Sequence, residues 1–164
     1  MAVQNAPLSV GDPAPDFALQ DAAGNLVRLS DFAGRRVVLY FYPRDNTPGC
    51  TKEACAFNSV LDKLTALGAQ VIGISPDDVP SHAKFAAKFG LAFPLLSDPD
   101  HVVAEQYGVW QAKKNYGKTY FGVVRTTFII DEQGRIARIF PKVKVEGHEA
   151  QVLQALAELD RKKG

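Results

Sequence analysis

The chain has two cysteines, Cys50 and Cys55, and both fall in one stretch, residues 40–57, which reads YFYPRDNTPGCTKEACAF. A thiol can serve as nucleophile, metal ligand, redox centre or inert apolar filler, and its surroundings decide which. A separation of five is not that of a CxxC redox pair, and two thiols are few for a cysteine-rich zinc site. The residues just before Cys50 say more. Thr47-Pro48-Gly49-Cys50 has the form of a helix start, with Thr47 at or near the N-cap and Pro48 at the first helical position. Cys50 then occupies the first turn, where unpaired backbone N–H groups and the positive end of the helix dipole favour a thiolate over a thiol. Gly49 leaves the backbone uncovered, so a small substrate can reach the amides of Gly49 and Cys50. On this local pattern two readings of Cys50 stand: an activated nucleophile, or a half-buried structural cysteine behind an ordinary cap.

The spacing limits what Cys55 can do. The pattern predicts a helix from 48 to about 67, with Cys50, Ala54, Phe57, Leu61 and Leu64 as its apolar stripe and Gly68 as its stop. Cys55 shares a different side with Asn58, Ser59 and Asp62. In an intact helix, residues five apart differ by about 140° in azimuth and about 7.5 Å in rise. Their Cα atoms lie roughly 8–9 Å apart, beyond the ~7 Å limit for a disulfide. A bond between the two sulfurs therefore requires the first turns to unwind. Cys55 has either a part in a cycle between a folded reduced state and a locally unfolded oxidised state, or no chemical task.

The elements that must position these residues alternate between strand and helix. A turn at residues 21–25 separates DFAL from LVRLS and predicts a hairpin. Residues 36–42, RVVLYFY, form a continuous β-branched and aromatic run, as in a strand buried on both faces. A buried strand AQVIGIS, a helix over 79–89 ended by Gly90, a short strand PLLS and a short helix over 101–107 follow. RTTFIID and RIARIF flank a turn at 131–134 as a second hairpin, and an amphipathic helix over 148–161 closes the chain. This order predicts one domain over 1–164, an α/β sandwich around a mixed sheet. Reactive groups in such a sheet sit where a central strand ends and a helix begins, and LYFYPRDNTPGC is such a junction.

Composition narrows the function classes. Nineteen basic and eighteen acidic residues give a net charge of +1, so there is no general attraction to nucleic acid or anionic membranes. No apolar run approaches membrane-spanning length. The first fifteen residues lack the basic-then-apolar order of a secretory signal, so a cytoplasmic setting is expected, where paired thiols are more often redox-active than structural.

The segment YPRDNTPGCTKEACAF resembles the active-site segment of the peroxiredoxins, Pro-x-x-x-Thr-x-x-Cys, met here by Pro43, Thr47 and Cys50. The likeness is to the peroxiredoxin Q group, also called bacterioferritin comigratory proteins. It continues through SPDDVPSHAKFAAKFGLAFPLLSDPD, YGVW, KNYGKTYFGVVRTTFIID and VKVEGHEAQVLQAL, spanning roughly residues 8–159. The resemblance implies a thioredoxin-like fold with an N-terminal β-hairpin extension and an atypical two-cysteine peroxidase acting on hydrogen peroxide and organic hydroperoxides. It makes Cys50 the peroxidatic cysteine, whose thiolate attacks peroxide and becomes a sulfenic acid. It makes Cys55 the resolving cysteine, closing an intramolecular disulfide that thioredoxin or a similar dithiol reduces. It assigns the peroxide oxygens to the Gly49 and Cys50 amides, the Thr47 hydroxyl and the guanidinium of Arg125. Pro43 would shield the sulfur, and Glu53 would orient Arg125 or be a helix-surface charge. The resemblance also implies a monomer.

Other signals carry less. GKT at 117–119 has Ala112 where a phosphate-binding loop needs glycine, and a strand-like run follows. Lys113, Lys114 and Lys118 with Tyr116, Tyr120 and Phe121 read as a solvated loop with its aromatics tucked inward, near enough to the pocket to shape access. His82, His101 and His148 show no ligand spacing, and Trp110 and Phe93 read as core. No dinucleotide or flavin fingerprint is present, so no cofactor or metal is expected and electrons must come from thiols. Two other functions fit the same elements: a general disulfide reductase, which the spacing disfavours, and a redox-responsive binding protein or holdase exposed by helix unwinding.

Overall fold

The computed structural model describes residues 7–163; residues 1–6, part of the stretch read above as carrying no secretory signal, lie outside it. Strands β1 (Ala18–Gln20) and β2 (Leu26–Arg28) form the first hairpin, followed by a 3₁₀ turn at Leu29–Phe32. Then come β3 (Arg36–Phe41), α1 (Pro48–Ser59), α2 (Leu61–Ala66), β4 (Ala69–Ser75), α3 (Val79–Phe89) and β5 (Leu95–Ser97). The remainder is α4 (Val102–Gln106), β6 (Trp110–Asn115), β7 (Lys118–Val123), β8 (Thr126–Ile130), β9 (Ile136–Phe140) and α5 (His148–Lys163). Among the described residues no helix is long and apolar enough to cross a membrane.

Seven strands make a mixed sheet in the order β2-β1-β5-β4-β3-β8-β9. β3, β4 and β5 run parallel, whereas β8 and β9 add as antiparallel strands on one side and the β1–β2 hairpin on the other. Every residue of β3 is buried, as its unbroken apolar run requires. Strand alternation sends Val37, Leu39 and Phe41 into one core with Val103, Ala104 and Tyr107 around α4. Val38 and Tyr40, with Tyr42 just beyond, enter the other core, with Cys50, Ala54 and Phe57 of α1, Phe85 of α3, and Val152 and Leu156 of α5. The expected fold class holds: a mixed α/β sheet flanked by helices, extended by an N-terminal hairpin.

The chain departs from the expected elements in two places. The helix expected over 48–67 is two helices, broken at Val60 (φ −113°, ψ 18°). The Ser59 hydroxyl donates to Ala56 O at 2.7 Å and Val60 N–H bonds Phe57 O, so the last turn of α1 tightens and the chain re-enters helix on a new axis. The lysine- and aromatic-rich loop is a hairpin, β6–β7, closed by Tyr116 (φ 52°) and Gly117 (φ 77°). Two adjacent positive-φ residues give the turn whose twist matches the flanking strands. Its aromatics do not tuck inward: Tyr116, Tyr120 and Phe121 are all exposed.

Tyr40 is enclosed by Tyr42, Phe57 and Phe93, with ring centroids 5.0–6.0 Å away. On β4 its parallel neighbour is Gly73, where an added Cβ would lie 2.9 Å from the Tyr40 ring. Gly73→Ala should therefore cost about 1–3 kcal/mol of stability through overpacking, read as a lower denaturant midpoint. An unchanged midpoint would mean that the ring swings aside freely.

Candidate active site

β3 ends at Phe41, and the loop it feeds turns back into α1 at Pro48. Thr47 has the extended backbone of an N-cap (φ −101°, ψ 157°), Pro48 opens the helix, and Thr47 O accepts the first intrahelical bond, from Thr51 N–H at 2.8 Å. Gly49 and Cys50 precede that bond, so their amides point out of the first turn. The Thr47 hydroxyl does not cap the helix as expected; it turns back and donates to Arg44 O at 2.9 Å. With its single proton committed there, its lone pairs are left to accept. Cys50 Sγ is buried beneath this turn, and Pro43 lies half-buried in the same loop.

Arg125 reaches the sulfur from the strand next to β3. β3 and β8 are antiparallel neighbours with Phe41 opposite Thr126, so the residue before β8 stands beside the loop that leaves β3. Arg125 Nη2 donates to Cys50 Sγ at 3.3 Å, and Nη1 donates to Glu53 Oε1 at 2.6 Å. The guanidinium thus bridges positions three apart on one face of α1. Gly49 has a role that the sequence did not show. A Cβ there would lie 3.2 Å from Arg125 Nη2, so its bare backbone makes room for the guanidinium.

Glu53 is 1% exposed, which rules out the helix-surface reading. Burial pushes its carboxyl up, to about 7, against the pull of Arg125. Burial works to lower Arg125, but Glu53 and then Cys50 outweigh it and hold the guanidinium above its ordinary value. A sulfur at a helix start, touched by a permanently charged fork of donors, has the surroundings to attack a small electrophile and stabilise the anion that leaves.

The loop between β3 and α1 is held by residues to which sequence reasoning gave no role. The Tyr42 hydroxyl donates to Asp45 Oδ1 at 2.6 Å, and the Ser81 hydroxyl to Asp45 Oδ2 at 2.8 Å. His82 Nδ1 lies 2.7 Å from Asp45 Oδ2 and its Nε2 2.9 Å from Leu96 O, while Asp45 N–H donates to Asp77 Oδ2 at 2.7 Å. Burial works against the Asp45 carboxylate, yet the bonds from His82 and Tyr42 hold it below its ordinary value. Asp45, Asp77 and His82 come close enough to hold a metal ion, but their facing atoms are already engaged with one another and with Tyr42, Ser75 and Ser81. The signal for His82 was its place three before Phe85, on the buried face of α3.

Cys55 is half-buried on the same unbroken helix as Cys50, and both thiols are free. Besides the Arg125–Cys50 contact, polar side chains tie α1 to the body. Lys52 pairs with Glu146, and Glu53 with Arg125. Asn58 donates to Gly90 O at 3.0 Å and accepts from Ala92 N–H at 2.9 Å.

Residues 10–139 match the family model described as the AhpC/TSA family. Peroxiredoxin Bcp of Bacillus subtilis is 46% identical over 155 residues, 94% of this chain and 99% of that protein. Peroxiredoxin Bcp of Escherichia coli K12 is 47% identical over 152 residues, 93% of this chain and 97% of that one. Among solved structures, peroxiredoxin Q of Xanthomonas campestris superposes with a TM-score of 0.83 at 42% identity, over 87% of this chain and 90% of its own. A structure of the Xanthomonas campestris bacterioferritin comigratory protein, solved to explain its alkyl peroxide reduction activity, gives 0.83 at 41% identity with the same coverage.

Proposed function

The chain belongs to the AhpC/TSA family, among the peroxiredoxins of the Bcp or peroxiredoxin Q group, and from that premise we propose that Cys50 and Cys55 carry its peroxidase cycle. The enzyme is a thiol-dependent peroxidase, an oxidoreductase. Its substrates are hydrogen peroxide and small organic hydroperoxides, and its electrons come from thioredoxin or a similar cytoplasmic dithiol. The observation that carries this reading is the 3.3 Å contact of Arg125 Nη2 with Cys50 Sγ at the start of α1.

In the first step the Cys50 thiolate attacks the terminal peroxide oxygen. The S–O bond forms as the O–O bond breaks, and the electron pair leaves on the distal oxygen as alkoxide or hydroxide, which takes up a proton. Cys50 becomes a sulfenic acid. The Thr47 lone pairs receive the O–H of the incoming hydroperoxide, while Arg125 and the Gly49 and Cys50 amides stabilise the developing charge. Pro43 limits the access of water and of a second peroxide.

In the second step the Cys55 thiol attacks the sulfenic sulfur and water leaves, forming the Cys50–Cys55 disulfide. The dithiol donor then supplies two electrons and two protons to restore both thiols. Because residues five apart in a helix stand too far apart to bond, residues 50–55 must unwind, releasing Glu53 from Arg125 and Lys52 from Glu146. The Asn58 clamp and the break at Val60 leave α2 in place.

Cys55→Ser should consume one equivalent of peroxide, form sulfenic acid at Cys50 and lose thioredoxin-coupled turnover. Amide hydrogen exchange should rise across residues 47–57 in the disulfide form and stay unchanged across α2. Full coupled turnover in Cys55→Ser, or unchanged protection over 47–57 on oxidation, would remove the resolving role.

A further inference from the structure

Most basic and aromatic side chains of the β6–β7 hairpin face solvent, but Lys113 does not stand free. Its ammonium donates to Val123 O at 2.8 Å, and its stem lies across Gly122, where an added Cβ would come 3.2 Å from Lys113 Cδ. Lys113 pairs with Tyr120 and Gln111 with Gly122, so Lys113, Tyr120 and Gly122 share one face of the hairpin. Arg125 follows two residues after Val123, so the carbonyl that anchors the ammonium belongs to the same short run of chain as the guanidinium that touches Cys50. Burial and then Arg125 hold the Lys113 ammonium below its ordinary value, while Cys50 works in the other direction.

Other titratable groups stand around Cys50 and Arg125: Glu53 on α1, the buried phenol of Tyr40 on β3, which burial and the nearby anions keep neutral, and His148 on α5, packed against Phe57 and held below its ordinary value by burial. When Glu53 is ionised, it balances the charge of Arg125, and one cation remains for the sulfur.

We propose that Lys113 serves the peroxidase reaction through its charge: a second cation, fixed by Val123 O, that stabilises negative charge on Cys50 Sγ and on the departing peroxide oxygen. This rests on the role proposed above for Cys50. Gly122 is bare because the lysine stem must lie flat across it to bring the ammonium to that carbonyl.

The test follows the rate of Cys50 alkylation by iodoacetamide against pH in the full chain carrying Cys55→Ser. Lys113→Met keeps the stem and removes the charge. The midpoint should move up by about half a pH unit, with about threefold slower sulfenic acid formation at a pH below both midpoints. Lys113→Arg should restore the midpoint, and Gly122→Ala, which pushes the stem outward, should move it up by less than Lys113→Met does. An unmoved midpoint in Lys113→Met, or an equal shift in Lys113→Arg, overturns the proposal. Cys50→Ser, run alongside, separates the two readings. A chain that loses peroxidase activity with Cys50→Ser yet keeps its midpoint with Lys113→Met loses only the lysine's role, whereas one that stays active with Cys50→Ser loses both.

Discussion

Cys50→Ser should reduce peroxide consumption by about three orders of magnitude or more, to the background of the assay. A serine hydroxyl is not ionised at neutral pH even at a helix start, and oxygen lacks the accessible oxidation states through which sulfur accepts an oxygen atom. The replacement is nearly isosteric, and the buried pocket beneath the first turn of α1 should close on it as it does on the thiol. Arg125 keeps its anchor on Glu53 at 2.6 Å, so the variant should remain folded. The measurement is the loss of hydrogen peroxide in the presence of thioredoxin and its reductase. If the rate persists at the unsubstituted level, Cys50 is not the nucleophile and the whole cycle proposed above fails.

Arg125→Met has the next largest expected effect, a fall in kcat/KM for peroxide of about 10²–10³, from loss of one preorganised charged donor. It also changes how stability depends on pH. The Glu53 carboxyl is buried and already raised from 4.5 to about 7. A raised carboxyl stabilises the fold fully below its unfolded value, and that contribution is lost as pH rises through the folded value. In the unsubstituted chain the loss therefore runs from about pH 4.5 to about 7. Without the pull of Arg125 the folded value rises further, and stability should keep falling above pH 7. Adding Glu53→Gln to Arg125→Met should abolish that extra slope, because no group is left to titrate. Denaturant midpoints from pH 5 to pH 9 measure this. Equal slopes for Arg125→Met and the unsubstituted chain would mean that the guanidinium does not govern Glu53.

Much of the site was legible along the chain because it is built locally. Thr47, Pro48, Gly49 and Cys50 form a helix start wherever the sheet places them, since the φ of proline and the unpaired amides of a first turn belong to adjacent residues. The constraint on Cys50 and Cys55 came from helix geometry alone. The fold class was legible through β3, whose unbroken apolar run implied burial on both faces.

Other features were illegible for one reason. Glu53 reads equally as an anchor for Arg125 or a surface charge until Arg125 is brought to it, and Gly49 looks like an opening for substrate until the guanidinium fills the space. Asp45, Asp77 and His82 lie apart in the chain and meet only where β3, β4 and α3 converge. The break at Val60 depends on a hydroxyl that competes for a backbone carbonyl, and the outward aromatics of the β6–β7 hairpin depend on its turn.

Residues close in sequence set the helix start at Cys50 and the requirement that α1 must open before Cys55 could bond to it, because helix geometry is the same in any tertiary setting. The partners of Cys50 were set by strand order. Arg125 stands 75 residues away and reaches the sulfur only because β8 lies beside β3 with Thr126 opposite Phe41. That pairing depends on burying both faces of the sheet at once, so no single segment of the chain contains it.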